Sequence, residues 1–229
     1  MKSYNEFCSL ARALDVIGDR WTMLVVRELL ISPSRYSDLQ KSLPGIATNL
    51  LAQRLRTLEE DGVVTYRDEP PPISARVYTL TDWGRSLRGP LVEIARWASP
   101  LMAAEAGDQQ ARGRWLVFAV MALYPDPADL AGNPDLPTIT ARIDADGDSI
   151  LLIADATGIH ATTAHSDAAA EIVVDGTSDQ VFRTLSDAHT SLPRARITGP
   201  ANAVRRFTQL SSLALTHSQR LGREMPRRS

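Results

Sequence analysis

Residues 36–78 constrain this 229-residue chain more than any other segment. They hold two helical patterns separated by Pro44-Gly45, then two runs rich in β-branched and aromatic residues. Leucines at 51, 55 and 58 fall on one side of a helix that turns about 100° per residue, which predicts a helix over 48–61. Gly62 follows at once, as suits the left-handed residue beyond a helix end. Val63-Val64-Thr65-Tyr66 and Arg76-Val77-Tyr78-Thr79-Leu80 predict two strands. Asp68-Glu69-Pro70-Pro71-Pro72-Ile73-Ser74 joins them as a proline-stiffened loop. Helix, tight turn, helix and hairpin in that order predict a winged helix-turn-helix.

The flanks fit that frame. Leu10, Leu14 and Ile17 predict an amphipathic helix over 7–17, broken by Gly18-Asp19. Residues 21–30 read as a largely apolar, buried helix, 32–34 as a loop and 36–43 as a short helix. Thr81-Asp82 caps a predicted helix over 83–98, along which Leu87, Leu91, Ile94 and Trp97 form a stripe that suits either core or a dimer arm. A small, polar stretch over 103–112 reads as a linker. Beyond it, a helix over 114–124 precedes strands at 139–143, 149–154, 158–163 and 171–174. The connections around Asp146-Gly147 and Thr157-Gly158 carry hairpin chemistry. Thr177 caps a helix over 178–187, and a last helix runs from Ala201 to about 215. The fold class is therefore α+β: a winged-helix domain over 1–102, the linker, an α+β domain with an antiparallel sheet over 113–216, and a basic, frayed tail over 217–229.

In the 48–61 helix, Asn49, Gln53 and Arg56 lie opposite the leucines. Asn and Gln pair with adenine and Arg with guanine in the major groove, where the second helix of such a unit enters. Thr48 sits at the helix start, as its cap or a phosphate contact, and Arg54 and Thr57 flank the face within reach of phosphates. In the hairpin, Arg76 suits a phosphate, and Arg67 divides evenly between a phosphate and a surface pair with Asp68 or Glu69. Glu59, Glu60 and Asp61 gather at the far end of the helix, away from where DNA would enter. A polar helix face is by itself usually only solvated; the order of the elements tips the balance toward reading.

Composition bounds the alternatives. Residues 1–100 carry 13 Lys and Arg against 12 Asp and Glu, and residues 101–229 carry 12 against 15, so net charges of +1 and −3 make up the total of −2. DNA contact must then come from a local patch, not a bulk field. The lone cysteine, Cys8, allows no intrachain disulfide and fits a reducing compartment. No run approaches the ~20 apolar residues of a membrane span, and the first residues lack a secretory pattern, so a cytoplasmic location away from membranes is expected. Four scattered His and one Cys are a poor supply for a metal site. His160 and His165 do not converge if 158–163 is a strand. With no phosphate loop or nucleophile elbow, neither enzyme activity nor a cofactor is expected.

The run from Cys8-Ser9-Leu10 through Gly18-Asp19-Arg20-Trp21-Thr22 resembles the opening of HxlR-type regulators. So do Leu43-Pro44-Gly45-Ile46, Leu50-Leu51, Arg54-Leu55-Arg56, Leu58-Glu59-Glu60-Asp61-Gly62-Val63-Val64 and Val77-Tyr78-Thr79-Leu80-Thr81-Asp82-Trp83-Gly84. The resemblance covers about 4–99. It implies a homodimeric winged-helix regulator of transcription on double-stranded DNA with a palindromic operator. Ser9 stands where the family usually has proline, and Ala47 where a capping serine is common. Some HxlR-type regulators sense oxidants or electrophiles through a cysteine at the position of Cys8, which makes it a redox candidate; a small packing residue is the plain alternative. Residues 112–215 resemble the sterol carrier protein type 2 fold in pattern, through 139–143, the aspartate-rich hairpin, 171–176 and Ile197-Thr198-Gly199. That resemblance implies an apolar small-molecule effector, with Trp115, Phe118, Met121, Leu152 and Phe182 as candidate lining residues or simply core. A lipid or small-molecule carrier with a helical dimerisation domain is the alternative outside regulation.

Overall fold

The computed structural model describes residues 3–70, 75–98, 111–186 and 192–222. The chain divides into two units, Met1–Leu91 and Val92–Ser229. The first begins with helix α1 (Ser9–Ile17) and helix α2 (Thr22–Ile31). Strand β1 (Ser34–Arg35), where a loop was expected, leads into α3 (Tyr36–Ser42). Helix α4 (Thr48–Glu60) is followed by strands β2 (Val64–Glu69) and β3 (Ala75–Leu80). β2 and β3 pair antiparallel from Val64↔Leu80 to Glu69↔Ala75, and β1 adds to the other side of β3. Helix, helix, hairpin is the winged helix-turn-helix that the sequence predicts.

Burial explains why these elements stay together. Val25, Val26 and Leu29 of α2, Leu39 and Leu43 around α3, and Leu51, Leu55 and Leu58 of α4 are all buried. Sealing one such side chain contributes roughly 1.5–3 kcal/mol. Helix α4 stops where expected: Gly62 takes φ +71, its amide bonds Glu59 O at 3.0 Å, and the Val63 amide bonds Leu58 O at 2.8 Å. Those two bonds satisfy carbonyls that the helix end would leave open. The Thr81 hydroxyl donates to Gly62 O at 2.7 Å and accepts the Gly84 amide at 3.0 Å, so one side chain joins the end of α4 to the start of α5 (Asp82–Ser86).

The single helix expected over 83–98 is in fact α5 and α6 (Arg88–Ala98), separated at Leu87. Pro90 lacks the amide that would bond residue 86, and its ring crowds that carbonyl, so a helix must restart with proline in its first turn. The expected stripe divides with it: Leu91 is buried, but Ile94 and Trp97 are 51% and 72% exposed. The division between the two units falls inside α6; of the expected 103–112 linker only 111 and 112 are described.

The second unit holds α7 (Trp115–Leu123), α8 (Pro127–Leu130), β4 (Ile139–Ala145), β5 (Asp148–Asp155), β6 (Gly158–Ala164), β7 (Ile172–Gly176), α9 (Ser178–Ser186), β8 (Arg196–Thr198) and α10 (Ala201–Gly222). Its sheet runs β6-β5-β4-β7-β8. β4 and β5 join through Asp146 and Gly147, both at positive φ (47° and 83°), the two-residue turn that matches strand twist. The sheet is not wholly antiparallel: β7 returns parallel to β4, with Ala141↔Ile172 and Ile143↔Val174 in register. Ile139, Ala141, Ile143, Ile150, Leu152, Ala154, Ile172 and Val174 are buried, and α7, α9 and α10 pack against the sheet and one another. Helix α10 continues to Gly222, past the expected end near 215 and into the expected tail. Among the described residues no helix is long and apolar enough to cross a membrane.

Candidate nucleic-acid interface

Helix α4 has two unlike sides. Leu51, Leu55 and Leu58 are at most 1% exposed, whereas Asn49, Gln53 and Arg56 are exposed. Gln53 and Arg56 have no hydrogen bond or ion pair to any described residue. Asn49 turns its Oδ1 to the Leu50 amide at 2.9 Å, which leaves its side-chain amide hydrogens outward. The face is thus a set of donors and acceptors of the kind that pair with base edges.

Two residues expected beside that face do other work. Thr48 does not cap the helix: Ala47 is the capping position, in extended backbone, and no side chain accepts there. The Thr48 hydroxyl instead accepts Gln40 Nε2 at 2.6 Å, and its carbonyl accepts the Tyr36 hydroxyl at 2.6 Å. Burial, then the neighbouring Tyr78, pushes the Tyr36 phenol above its ordinary pKa, so it stays a donor. Arg54 does not flank the exposed face either. Its Nη2 lies 2.9 Å from Asp19 Oδ2, and its side chain is only 14% exposed. A guanidinium already spent on a carboxylate is not poised for a phosphate.

The wing's cations are also engaged. Arg67 pairs with Glu69, one of the outcomes left open by the sequence, though with the second of the two acids. Arg76 pairs with Asp68 at 3.6 Å and lies 3.7 Å above the Tyr66 ring. Both arginines remain accessible, at 71% and 45%, so these contacts hold them loosely. Residues 71–74 of the wing loop lie outside the described residues.

Asp19, Tyr36, Gln40 and Tyr66 carry this geometry and were not singled out by sequence. Their signal is contact between residues distant in the chain, which local periodicity does not report. Asp19 looked only like a helix breaker; its Oδ1 accepts the Trp21 amide at 3.0 Å while Oδ2 holds Arg54.

Elsewhere, Cys8 is exposed at the N-cap of α1. Hydrogen bonds from the Ala11 amide, then the Leu10 amide, lower its thiol pKa. Phe7, just before α1, and Leu10 and Leu14 on it are 106%, 66% and 38% exposed, whereas Ala11 of the same helix is buried. In the second unit Leu152 is fully buried, and Trp115, Phe118, Met121 and Phe182 are half-buried. His160 is exposed and meets Thr157 Oγ1 at 3.0 Å, and His165 lies past the end of β6, so the two do not form one site.

A model of the HxlR-like helix-turn-helix family matches residues 16–106. The HTH-type transcriptional regulator YvaP of Bacillus subtilis is 38% identical over 97 residues, which cover 42% of this chain and 89% of YvaP. The HTH-type transcriptional regulator YodB of the same organism is 30% identical over 105 residues, 45% of this chain and 92% of YodB. The reduced form of YodB superposes with a TM-score of 0.38 at 30% identity, covering 45% of this chain and 100% of that one.

Proposed function

The chain belongs to the HxlR-like helix-turn-helix family, whose members are transcriptional regulators and not enzymes, and from that premise we propose that it is a sequence-specific DNA-binding regulator acting as a homodimer. The observation that carries this reading is the exposed Asn49, Gln53 and Arg56 face on a helix whose opposite side is sealed by three leucines. Those three side chains read bases in the major groove. Arg76 and Arg67 release weak local pairs to meet phosphates, and Thr48 lies close enough to the helix start to add a contact. Each phosphate neutralised makes affinity fall with salt. The full chain should bind the double-stranded DNA upstream of its own gene with a log–log salt slope steeper than about −3. A flat response would instead support a lipid or small-molecule carrier whose helical domain serves only dimerisation.

The homodimer is supported by the exposed Phe7, just before α1, and Leu10 and Leu14 on it, a greasy edge that water alone would leave costly. Two-fold symmetry would present two copies of α4 to a palindromic operator. Leu10→Asp should convert a dimer to a monomer in sedimentation; an unchanged dimer would place the interface elsewhere.

For the second unit we propose a sterol-carrier-like domain within 113–216 that takes an apolar effector beside Trp115, Phe118, Met121 and Phe182. Leu152 is buried in the core. A saturable change in Trp115 emission on titration with a long-chain fatty acid is the expected result, and none in Trp115→Phe; an identical response in both would remove this site.

A second reading is favoured by the lowered thiol of Cys8. Exposed and more readily ionised, it is suited to sense oxidants or electrophiles. Cys8→Ser should then abolish any loss of DNA binding on oxidant treatment, whereas a retained response would assign sensing elsewhere.

A further inference from the structure

We infer that Asp19 and Arg54 form a positioning pair that sets the rotation of helix α4 and thereby its base specificity, an inference that rests on α4 being the reading helix. Arg54 lies one residue after Gln53 and two before Arg56, so any turn of α4 about its axis moves all three together. The leucines fix which side of α4 faces the core, but apolar packing is non-directional and tolerates small rotations. The Arg54–Asp19 pair is directional: one guanidinium nitrogen at 2.9 Å from one carboxylate oxygen. Arg54 Nε is buried without a hydrogen-bond partner, so Asp19 is the carboxylate that compensates this charge among the described residues.

Asp19 is itself fixed. Its second oxygen accepts the Trp21 amide at 3.0 Å, at the start of α2, whose Val25 and Val26 are wholly buried. The anchor therefore sits on the core, not on a free loop. At the other side of the reading face, Tyr36 and Gln40 hold Thr48. Helix α4 is thus pinned at its first turn by α3 and in its middle by the α1–α2 turn. Base contacts require side chains placed to fractions of an ångström, whereas contacts with phosphates tolerate displacement. Loss of the middle pin should then weaken specific binding and spare non-specific binding.

The test uses the full chain and two duplexes of equal length, the DNA upstream of its gene and a scrambled sequence of the same composition. Affinity for each is measured across a salt series for wild type, Asp19→Asn and Arg54→Ala. Partial unfolding lowers both affinities by the same factor, so their ratio reads placement of the face and not the folded fraction. A positioning pair predicts that Asp19→Asn and Arg54→Ala each lower the ratio roughly tenfold, the scale of a mismatched base pair. The salt slope stays as in wild type. If Arg54 instead binds a phosphate, Arg54→Ala makes the slope shallower by about 1, and Asp19→Asn leaves the ratio unchanged or raises both affinities. That pattern, or an unchanged ratio in both variants, overturns the inference. A wild-type ratio near one would instead count against DNA reading itself, so the two failures are told apart.

Discussion

Helix α4 and the wing both carry two arginines, and they deploy them differently. On α4, Arg56 projects outward without a described partner while Arg54 turns inward to Asp19. On the wing, Arg67 and Arg76 remain exposed but each leans on an acid two residues away or across the strand pair. The helix thus holds one arginine in an ion pair and leaves the other exposed, free for the recognition role proposed for it. The wing keeps both of its arginines paired with acids while leaving them exposed. Exposed pairs of this kind are worth about 0–1 kcal/mol, so releasing them costs little, but the net gain at a phosphate is correspondingly small.

Four measurements tell the helix and the wing apart. The largest effect falls on the frame itself. Leu55→Ala removes a side chain 1% exposed at the middle of α4 and should destabilise the first unit by about 2–5 kcal/mol in chemical denaturation. A loss under about 1 kcal/mol would mean that the leucines do not hold the reading face. Next, Arg56→Ala should lower specific affinity by about 1–3 kcal/mol, the worth of one bidentate base contact. Arg76→Ala and Arg67→Ala should each cost under about 1 kcal/mol and act equally on any sequence. A wing variant costing as much as Arg56→Ala would erase the distinction between the two regions. The smallest effect concerns pH. Because the amides of Ala11 and Leu10 lower the Cys8 thiol, its alkylation rate should reach half-maximum at a lower pH in the folded chain than in urea. Coincident curves would show that α1 does not activate the sulfur.

Much of helix α4 was legible because its signals are local. Leucine spacing, Gly62 and the exposed polar set follow from one helical turn to the next, and all reappear in α4. The Asp146-Gly147 turn was legible for the same reason. What sequence did not disclose depends on distance in the chain. Asp19 and Arg54 lie 35 positions apart, and nothing in either neighbourhood announces the pair. The parallel return of β7 beside β4 is likewise decided by a long connection and by which strand edge is free, not by alternation within the strand. The break at Leu87 is a different case: Pro90 carried the signal in plain view, but the apolar stripe running across it pointed to one helix. On α1 the periodicity predicted the helix but not what its apolar side meets: Leu10 and Leu14 are exposed and Ile17 is half-buried.

The proposed reading of sequence by α4 turns on Arg56 and its neighbours. Equilibrium binding of wild type and Arg56→Ala to the upstream duplex and to a scrambled one, at a single physiological salt concentration, tests it most directly. The variant is expected to lose roughly tenfold or more in affinity for the upstream duplex and little for the scrambled one. Equal losses on both duplexes, or none on either, would contradict it.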